Sequence, residues 1–206
     1  MIVKICGIQN VESGKQAAAS GADFIGFVFA DSSRQVTPEL ARQIVRGLPD
    51  HVKTVGVFVN EPINFVMQIA NFVGLDYLQL HGDESPAYCK QLNRPVIKAF
   101  QVNGSEELNR ICDYDVDYYL LDSPGGKYRG GSGHVFDWQV LRYLPREVHG
   151  RMILAGGLHA DNVQTAIQEA KPVGVDVSSG VETNRIKDPE KIKSFVERAK
   201  NKEMSI

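Results

Sequence analysis

The runs Phe24-Ile25-Gly26-Phe27-Val28-Phe29, Thr37-Pro38-Glu39-Leu40-Ala41-Arg42-Gln43-Ile44-Val45-Arg46-Gly47-Leu48 and Thr54-Val55-Gly56-Val57-Phe58-Val59 follow one another and carry the fold in miniature. The first and third are apolar almost throughout and rich in β-branched and aromatic residues, as strands buried on both faces require. The middle run repeats apolar residues at helical spacing, Ala41, Ile44, Val45 and Leu48, so it has one face to bury. Its start is marked by Thr37 as N-cap, Pro38 at the first helical position and Glu39 near the positive end of the helix dipole. Strand, helix and strand joined this way make a parallel βαβ unit.

The same alternation extends along the chain. Strands are expected at 2–6, 24–29, 54–59, 77–80, 96–100, 118–121, 152–155 and 174–177. Ile63, Val66, Met67, Ala70 and Val73 form a second helical stripe. Asp188-Pro189-Glu190 opens another, with Ile192, Phe195, Val196 and Ala199 as its buried face. Eight strands in 206 residues leave about 26 residues per unit, close to the minimum for a strand, a crossover helix and two loops. Strict alternation suits an open doubly wound sheet or a closed barrel. Count and spacing favour the second: an α/β chain folded as an eight-stranded parallel (β/α) TIM barrel. No Pro- or Ser-rich linker divides residues 1–206, which are expected to form a single catalytic domain.

Composition narrows the function. A formal net charge of −2 gives no electrostatic reason to expect nucleic acid as a partner. Three cysteines, Cys6, Cys89 and Cys112, with no CxxC pair, argue against a disulfide framework and fit a reducing compartment. Cys89 and Cys112 fall in expected helices and are given structural roles. No apolar stretch approaches the roughly 20 residues of a membrane span, and Met1 leads directly into Ile2-Val3-Lys4-Ile5 with no signal-peptide pattern. A cytoplasmic protein with no membrane partner is expected.

In a β/α barrel, chemistry gathers where strands end. The first strand ends on Cys6-Gly7. A lone cysteine there is most often a small buried hydrophobe, but at the active face a thiolate of lowered pKa could serve as general base. The second loop holds Arg34, either a solvated surface charge or a two-pronged carboxylate ligand. The fourth strand is followed by His81, which binds substrate or orders its loop. No further histidines at ligand spacing accompany it, so no metal is expected. The sixth strand ends at Asp122, and five glycines among 125–133 then suggest a lid over the site, with Asp137 as N-cap where structure resumes. The seventh and eighth strands are followed by Gly156-Gly157 and by Ser178-Ser179-Gly180. Such residues leave backbone N–H groups open to an anion, with a short helix near Ser179 adding its positive end. Phosphate binding at these two loops recurs in the fold.

Several motifs together resemble the phosphoribosylanthranilate isomerase family. They are Lys-Ile-Cys-Gly at 4–7, Gly-Phe-Val-Phe at 26–29, Val-Gly-Val-Phe-Val-Asn at 55–60 and Leu-Gln-Leu-His-Gly-Asp-Glu at 78–84. Leu-Leu-Asp-Ser at 120–123, Gly-Gly-Ser-Gly-His-Val-Phe-Asp-Trp at 130–138, Leu-Ala-Gly-Gly-Leu at 154–158 and Gly-Val-Asp-Val-Ser-Ser-Gly-Val-Glu at 174–182 complete the set. The resemblance implies a small barrel of tryptophan biosynthesis, monomer or homodimer, that performs an Amadori rearrangement without cofactor or metal. It implies Asp122 as general acid and Cys6 as general base. It also implies phosphate binding by Gly156, Gly157, Ser178, Ser179 and Gly180, and Arg34 against the anthranilate carboxylate. His81 and the sixth loop, Gly131 and Gly133 included, would complete the pocket. One departure is Ser33, where many members have proline before the arginine.

The rival readings are another phosphosugar barrel enzyme, such as an epimerase, and a non-catalytic phosphosugar sensor. The first needs metal-binding histidines or catalytic lysines in other positions; the second would bind ligand without turnover.

Overall fold

The computed structural model describes residues 1–102, 110–122, 141 and 144–200. Strands β1 (Ile2–Cys6), β2 (Phe24–Val28), β3 (Lys53–Phe58), β4 (Tyr77–Leu80), β5 (Val96–Gln101), β6 (Tyr118–Asp122), β7 (Met152–Leu154) and β8 (Gly174–Val177) close into a barrel in chain order. Every pairing in that ring is parallel, and β1 meets β8 with Lys4 opposite Asp176. Around it run helices α1 (Val11–Ala19), α2 (Pro38–Val45), α3 (Ile63–Val73), α4 (Pro86–Cys89), α5 (Arg146–His149), α6 (Val163–Ala170) and α7 (Pro189–Lys200). After β8 the chain makes a 3-10 turn, Ser179–Val181, and an antiparallel ribbon of β9 (Glu182–Thr183) and β10 (Ile186–Lys187) before α7. No helix among the described residues is long and apolar enough to cross a membrane.

The expected strands at 2–6, 77–80 and 174–177 coincide with the observed ones, and the other five differ by one residue at an end or at both. Pairing decides those ends: Lys53 joins β3 because it lies opposite Phe24, and Asp122 joins β6 because it lies opposite Gln101. The caps also hold. The Thr37 hydroxyl accepts from the Leu40 N–H at 3.2 Å. Asp188 Oδ1 accepts from the N–H groups of Glu190 and Lys191 at 3.1 and 3.3 Å. Two details differ from expectation. Ile69, outside the expected stripe of α3, is buried, whereas Ile63 and Met67 are only half-buried. Cys112 lies in a turn and is exposed, whereas Cys89 closes α4 and is buried.

Because side chains alternate along a strand, each strand supplies one set to the lumen and one to the helices. The outward sets and the helices share one large core. A separate cluster of Phe24, Val55, Ile97, Ala99, Leu120, Ile153 and Ala155 fills the lumen, with Ile2, Tyr77 and Tyr118 packed against it. At the N-terminal end of the barrel Phe24, Tyr77 and Tyr118 form a plug. Phe24 lies 5.0 Å from Tyr77 and 6.0 Å, edge-on, from Tyr118, ring centre to ring centre. These three come from the alternate strands β2, β4 and β6, as the layered packing of such barrels requires. The matching position on β8 is Gly174, where a Cβ would stand 2.9 Å from that of Ile2.

Phe24→Ala should therefore cost about 3–5 kcal/mol, as for large-to-small changes in a packed core. Urea unfolding followed by far-UV circular dichroism would show a lower midpoint at an unchanged slope. Turnover by the molecules that remain folded should stay near wild type, since the plug lies below the site.

Candidate active site

A cavity of about 950 Å³ opens at the C-terminal ends of the strands, lined by Cys6, Arg34, Gln79, His81, Asp122, Gly156, Gly157, Asp176, Ser178, Ser179 and Arg185 among others. The structure thus brings together Cys6, Asp122, Arg34, His81, Gly156, Gly157, Ser178 and Ser179, which lie far apart in the chain. Gly180 stands just behind the wall: a Cβ there would collide with the carbonyl oxygen of Leu158, so its bare backbone lets the eighth loop close on the seventh. Gly131, Gly133, the rest of the 124–134 loop and the Asp137 cap lie outside the described residues.

Cys6 caps an inward-facing column on β1. Two residues below it, on the same face, Lys4 is fully buried and pairs with Asp176 of β8 at 2.8 Å. Burial works against the Lys4 ammonium, but Asp176 and Cys6 outweigh it and its pKa ends above the usual value. Burial pushes the Cys6 thiol up, and the nearby cations Lys4 and Lys187 recover only part of that rise. The lowered thiol pKa that a resting base would need is not found: burial outweighs the two cations and leaves the Cys6 pKa above its usual value. Room for its sulfur comes from Gly26, where a Cβ would sit 2.9 Å from Cys6 Sγ.

Across the lumen, Asp122 is 4% exposed at the end of β6. His81 Nε2 lies 3.5 Å from its Oδ2, close enough to attract but without the geometry of a hydrogen bond. Both His81 Nε2 and Asp122 Oδ1 are buried and have no hydrogen-bond partner among the described residues. On the other edge of the imidazole, Gln79 Nε2 approaches His81 Nδ1 at 3.0 Å.

Arg34 is neither a free surface charge nor a vacant fork. Its Nε and NH2 donate to the two carboxylate oxygens of Glu182 at 2.7 and 2.8 Å. Lys187 donates to the same carboxylate at 2.6 Å and to the Ser178 carbonyl at 3.0 Å. Burial raises the Glu182 pKa, but Arg34 and Lys187 override it and hold the carboxyl below the usual range. Burial pushes Lys187 down by more than Glu182 restores. Of the five N–H groups of Arg34, the two on NH1 and one on NH2 remain for a ligand. That outer edge still matches a carboxylate.

Gly156 and Gly157 take φ of 87° and 65°, consecutive left-handed residues that favour glycine. The 3-10 turn at Ser179–Val181 leaves its first N–H groups without intrahelical acceptors. Both loops line the cavity.

The sequence reading missed Lys4, Gln79, Asp176, Glu182 and Lys187. For three of them a signal was present. Lys4, Gln79 and Asp176 are polar residues inside apolar strands, in register with the lumen-facing positions, where a polar group needs a partner or a task. Glu182 and Lys187 lie on a ribbon that no periodicity foretold.

A closed β/α barrel with a thiol, a carboxyl and two glycine- and serine-rich loops at the C-terminal mouth of its strands belongs to the class of β/α-barrel enzymes. Residues 3–198 match the family model described as N-(5'-phosphoribosyl)anthranilate (PRA) isomerase. An N-(5'-phosphoribosyl)anthranilate isomerase of Bacillus cereus is 48% identical over 198 residues, 96% of this chain and 98% of that protein. The crystal structure of phosphoribosyl anthranilate isomerase from Thermotoga maritima superposes with a TM-score of 0.90 at 41% identity, covering 97% of this chain and 99% of that one. A phosphoribosyl anthranilate isomerase in complex with reduced 1-(o-carboxyphenylamino)-1-deoxyribulose 5-phosphate superposes with a TM-score of 0.87 at 39% identity, again over 97% and 99%. The chain belongs to the N-(5'-phosphoribosyl)anthranilate isomerase family.

Glu182 should set an acid limit on the order of this face. A carboxyl held below its ordinary 4.5 contributes stability above that pH and loses it as pH falls through the folded-state value. Glu182→Gln should lower stability at pH 7 by about 3 kcal/mol, the low end for breaking a buried ion pair. In urea melts between pH 7 and 3 the difference from wild type should shrink toward the acid end. A constant difference would mean that the charge of Glu182 contributes nothing.

Proposed function

We propose that this protein converts N-(5'-phosphoribosyl)anthranilate into 1-(2-carboxyphenylamino)-1-deoxyribulose 5-phosphate, a cytoplasmic step of tryptophan biosynthesis, by general acid–base catalysis and without a cofactor. The observation that carries this reading is the meeting of Cys6 and Asp122 on one cavity bordered by the seventh and eighth loops. Family membership supports the choice of substrate.

Asp122 gives its proton to the furanose ring oxygen as the C1–O bond breaks, and the anthranilate nitrogen lone pair forms the C1=N iminium. Cys6 then takes the proton from C2, and the C–H electron pair becomes the C1=C2 bond of an enolamine. Tautomerisation gives the ketone. Burial raises the thiol pKa, so the reacting form is the thiolate, its proton having passed to solvent at the open mouth of the cavity, and that form must be favoured by what arrives. The iminium is a cation next to the sulfur, and it adds to the field of Lys4 and Lys187. Base and electrophile are thereby generated together. The phosphate rests on backbone N–H groups of Gly156, Gly157, Ser178, Ser179 and Gly180, while the Ser178 hydroxyl donates to the Cys6 carbonyl at 3.1 Å. The anthranilate carboxylate takes the outer edge of Arg34, whose other edge Glu182 holds in place.

The test is loss of substrate fluorescence on mixing the purified protein with freshly made phosphoribosylanthranilate. Cys6→Ala and Asp122→Asn should each lower kcat by about 10²–10⁴-fold, the usual worth of a general base or acid, with melting curves unchanged. Losses below ten-fold would reassign both roles.

The pH profile gives a separate check on the base. Because the Cys6 pKa lies above the usual 9.0, the residual log kcat/KM of Asp122→Asn, in which the acid no longer titrates, should climb steadily through neutrality toward pH 9. A plateau from pH 7 upward would mean that the thiol is already ionised or is not the base.

A further inference from the structure

Gln79 occupies the inward face of β4, 1% exposed, two residues before His81 and on the same side of the strand. Its Oε1 is buried with no hydrogen-bond partner among the described residues, and its Nε2 lies 3.0 Å from His81 Nδ1. With the Gln79 amide in this orientation its N–H donates, Nδ1 accepts, and the proton of a neutral imidazole sits on Nε2. Nε2 is the atom that faces Asp122 Oδ2 at 3.5 Å.

We infer that Gln79 is a positioning residue: it fixes His81 as the Nε2–H tautomer, so that His81 stabilises the Asp122 carboxylate as it forms. This rests on Asp122 being the acid proposed above. When Asp122 gives its proton to the ring oxygen, a negative charge appears in a buried pocket and needs a donor already aimed at it. The 3.5 Å separation is long for a hydrogen bond, and it shortens when the charge develops. The opposite tautomer would put the bare Nε2 lone pair against the new carboxylate and oppose its formation. The buried, unpartnered states of His81 Nε2 and Asp122 Oδ1 fit a pair that engages during the reaction.

The experiment is ¹⁵N NMR of histidine-labelled protein, whose ring nitrogen shifts and long-range couplings distinguish the two tautomers, together with steady-state kinetics. Wild type should show His81 with its proton on Nε2. Gln79→Glu offers Nδ1 an acceptor in place of a donor and should move the proton to Nδ1. It should lower kcat by ten-fold or more with KM within about two-fold. Gln79→Leu should give mixed tautomers and an intermediate kcat. In a His81→Asn background, Gln79→Glu should cost nothing further, because its effect passes through the imidazole. A wild-type spectrum with the proton on Nδ1 would overturn the inference, as would full additivity of the two substitutions or loss of activity through KM alone. Asp122→Asn retaining activity would instead remove the acid assignment while leaving the tautomer result standing, so the two failures are distinguishable.

Discussion

The ion pair between Lys4 and Asp176 is the constraint around which this molecule is arranged. The two residues lie directly opposite each other across the β1–β8 seam, the pairing that turns a ribbon of strands into a ring. Their 2.8 Å contact is sealed from solvent on the lysine side. A buried pair is weak evidence of net stability, because apolar residues of matched shape can replace it without loss. Its importance here is specificity. A slip of one residue along the seam would turn one of the two charges from the lumen to the helix face, leaving each without its partner. The same pair sets the field beneath Cys6, so barrel closure and the acidity of the thiol are coupled through one ammonium.

Above that seam, the mouth of the barrel is held by contacts between successive loops. Glu84 accepts from the N–H of Asn60 at 2.7 Å, from that of Gly82 at 3.0 Å and from the Lys98 ammonium at 3.1 Å, joining the third, fourth and fifth units. Glu182 joins the second unit to the eighth through Arg34, and Lys187 ties that ribbon to the Ser178 carbonyl. Gly180 lets the eighth loop press on the backbone of the seventh. The proposed catalytic side chains therefore stand on strand ends, and the loops around the cavity brace one another.

The barrel was legible in the sequence because its strands are buried on both faces, so that runs such as Phe24–Val28 stand out as apolar blocks, and because Thr37 and Asp188 cap their helices in the usual way. The end-of-strand residues Cys6 and Asp122 could be found by the same logic, since position in the unit determines which face they meet. Partnership was not legible. That Arg34 is held by Glu182, 148 residues away, depends on the ribbon after β8, whose strands of two residues each are too short for any periodic signal. The thiol's raised pKa was hidden for a related reason: it is the sum of burial and of charges on β1, β8 and β10, of which only Lys4 is a neighbour of Cys6 in the chain. Lys4, Gln79 and Asp176 lay in plain view as polar residues within apolar strands.

The aromatic plug has a consequence for traffic. With Phe24, Tyr77 and Tyr118 packed across the lumen, the barrel axis is a blind well, and substrate and product must use one doorway. In the proposed reaction the product keeps both the phosphate and the carboxylate of the substrate, so its departure depends on the doorway rather than on loss of an anchoring group. The next substrate cannot push the last product out from behind. Substrate and product therefore compete for the same mouth of the barrel.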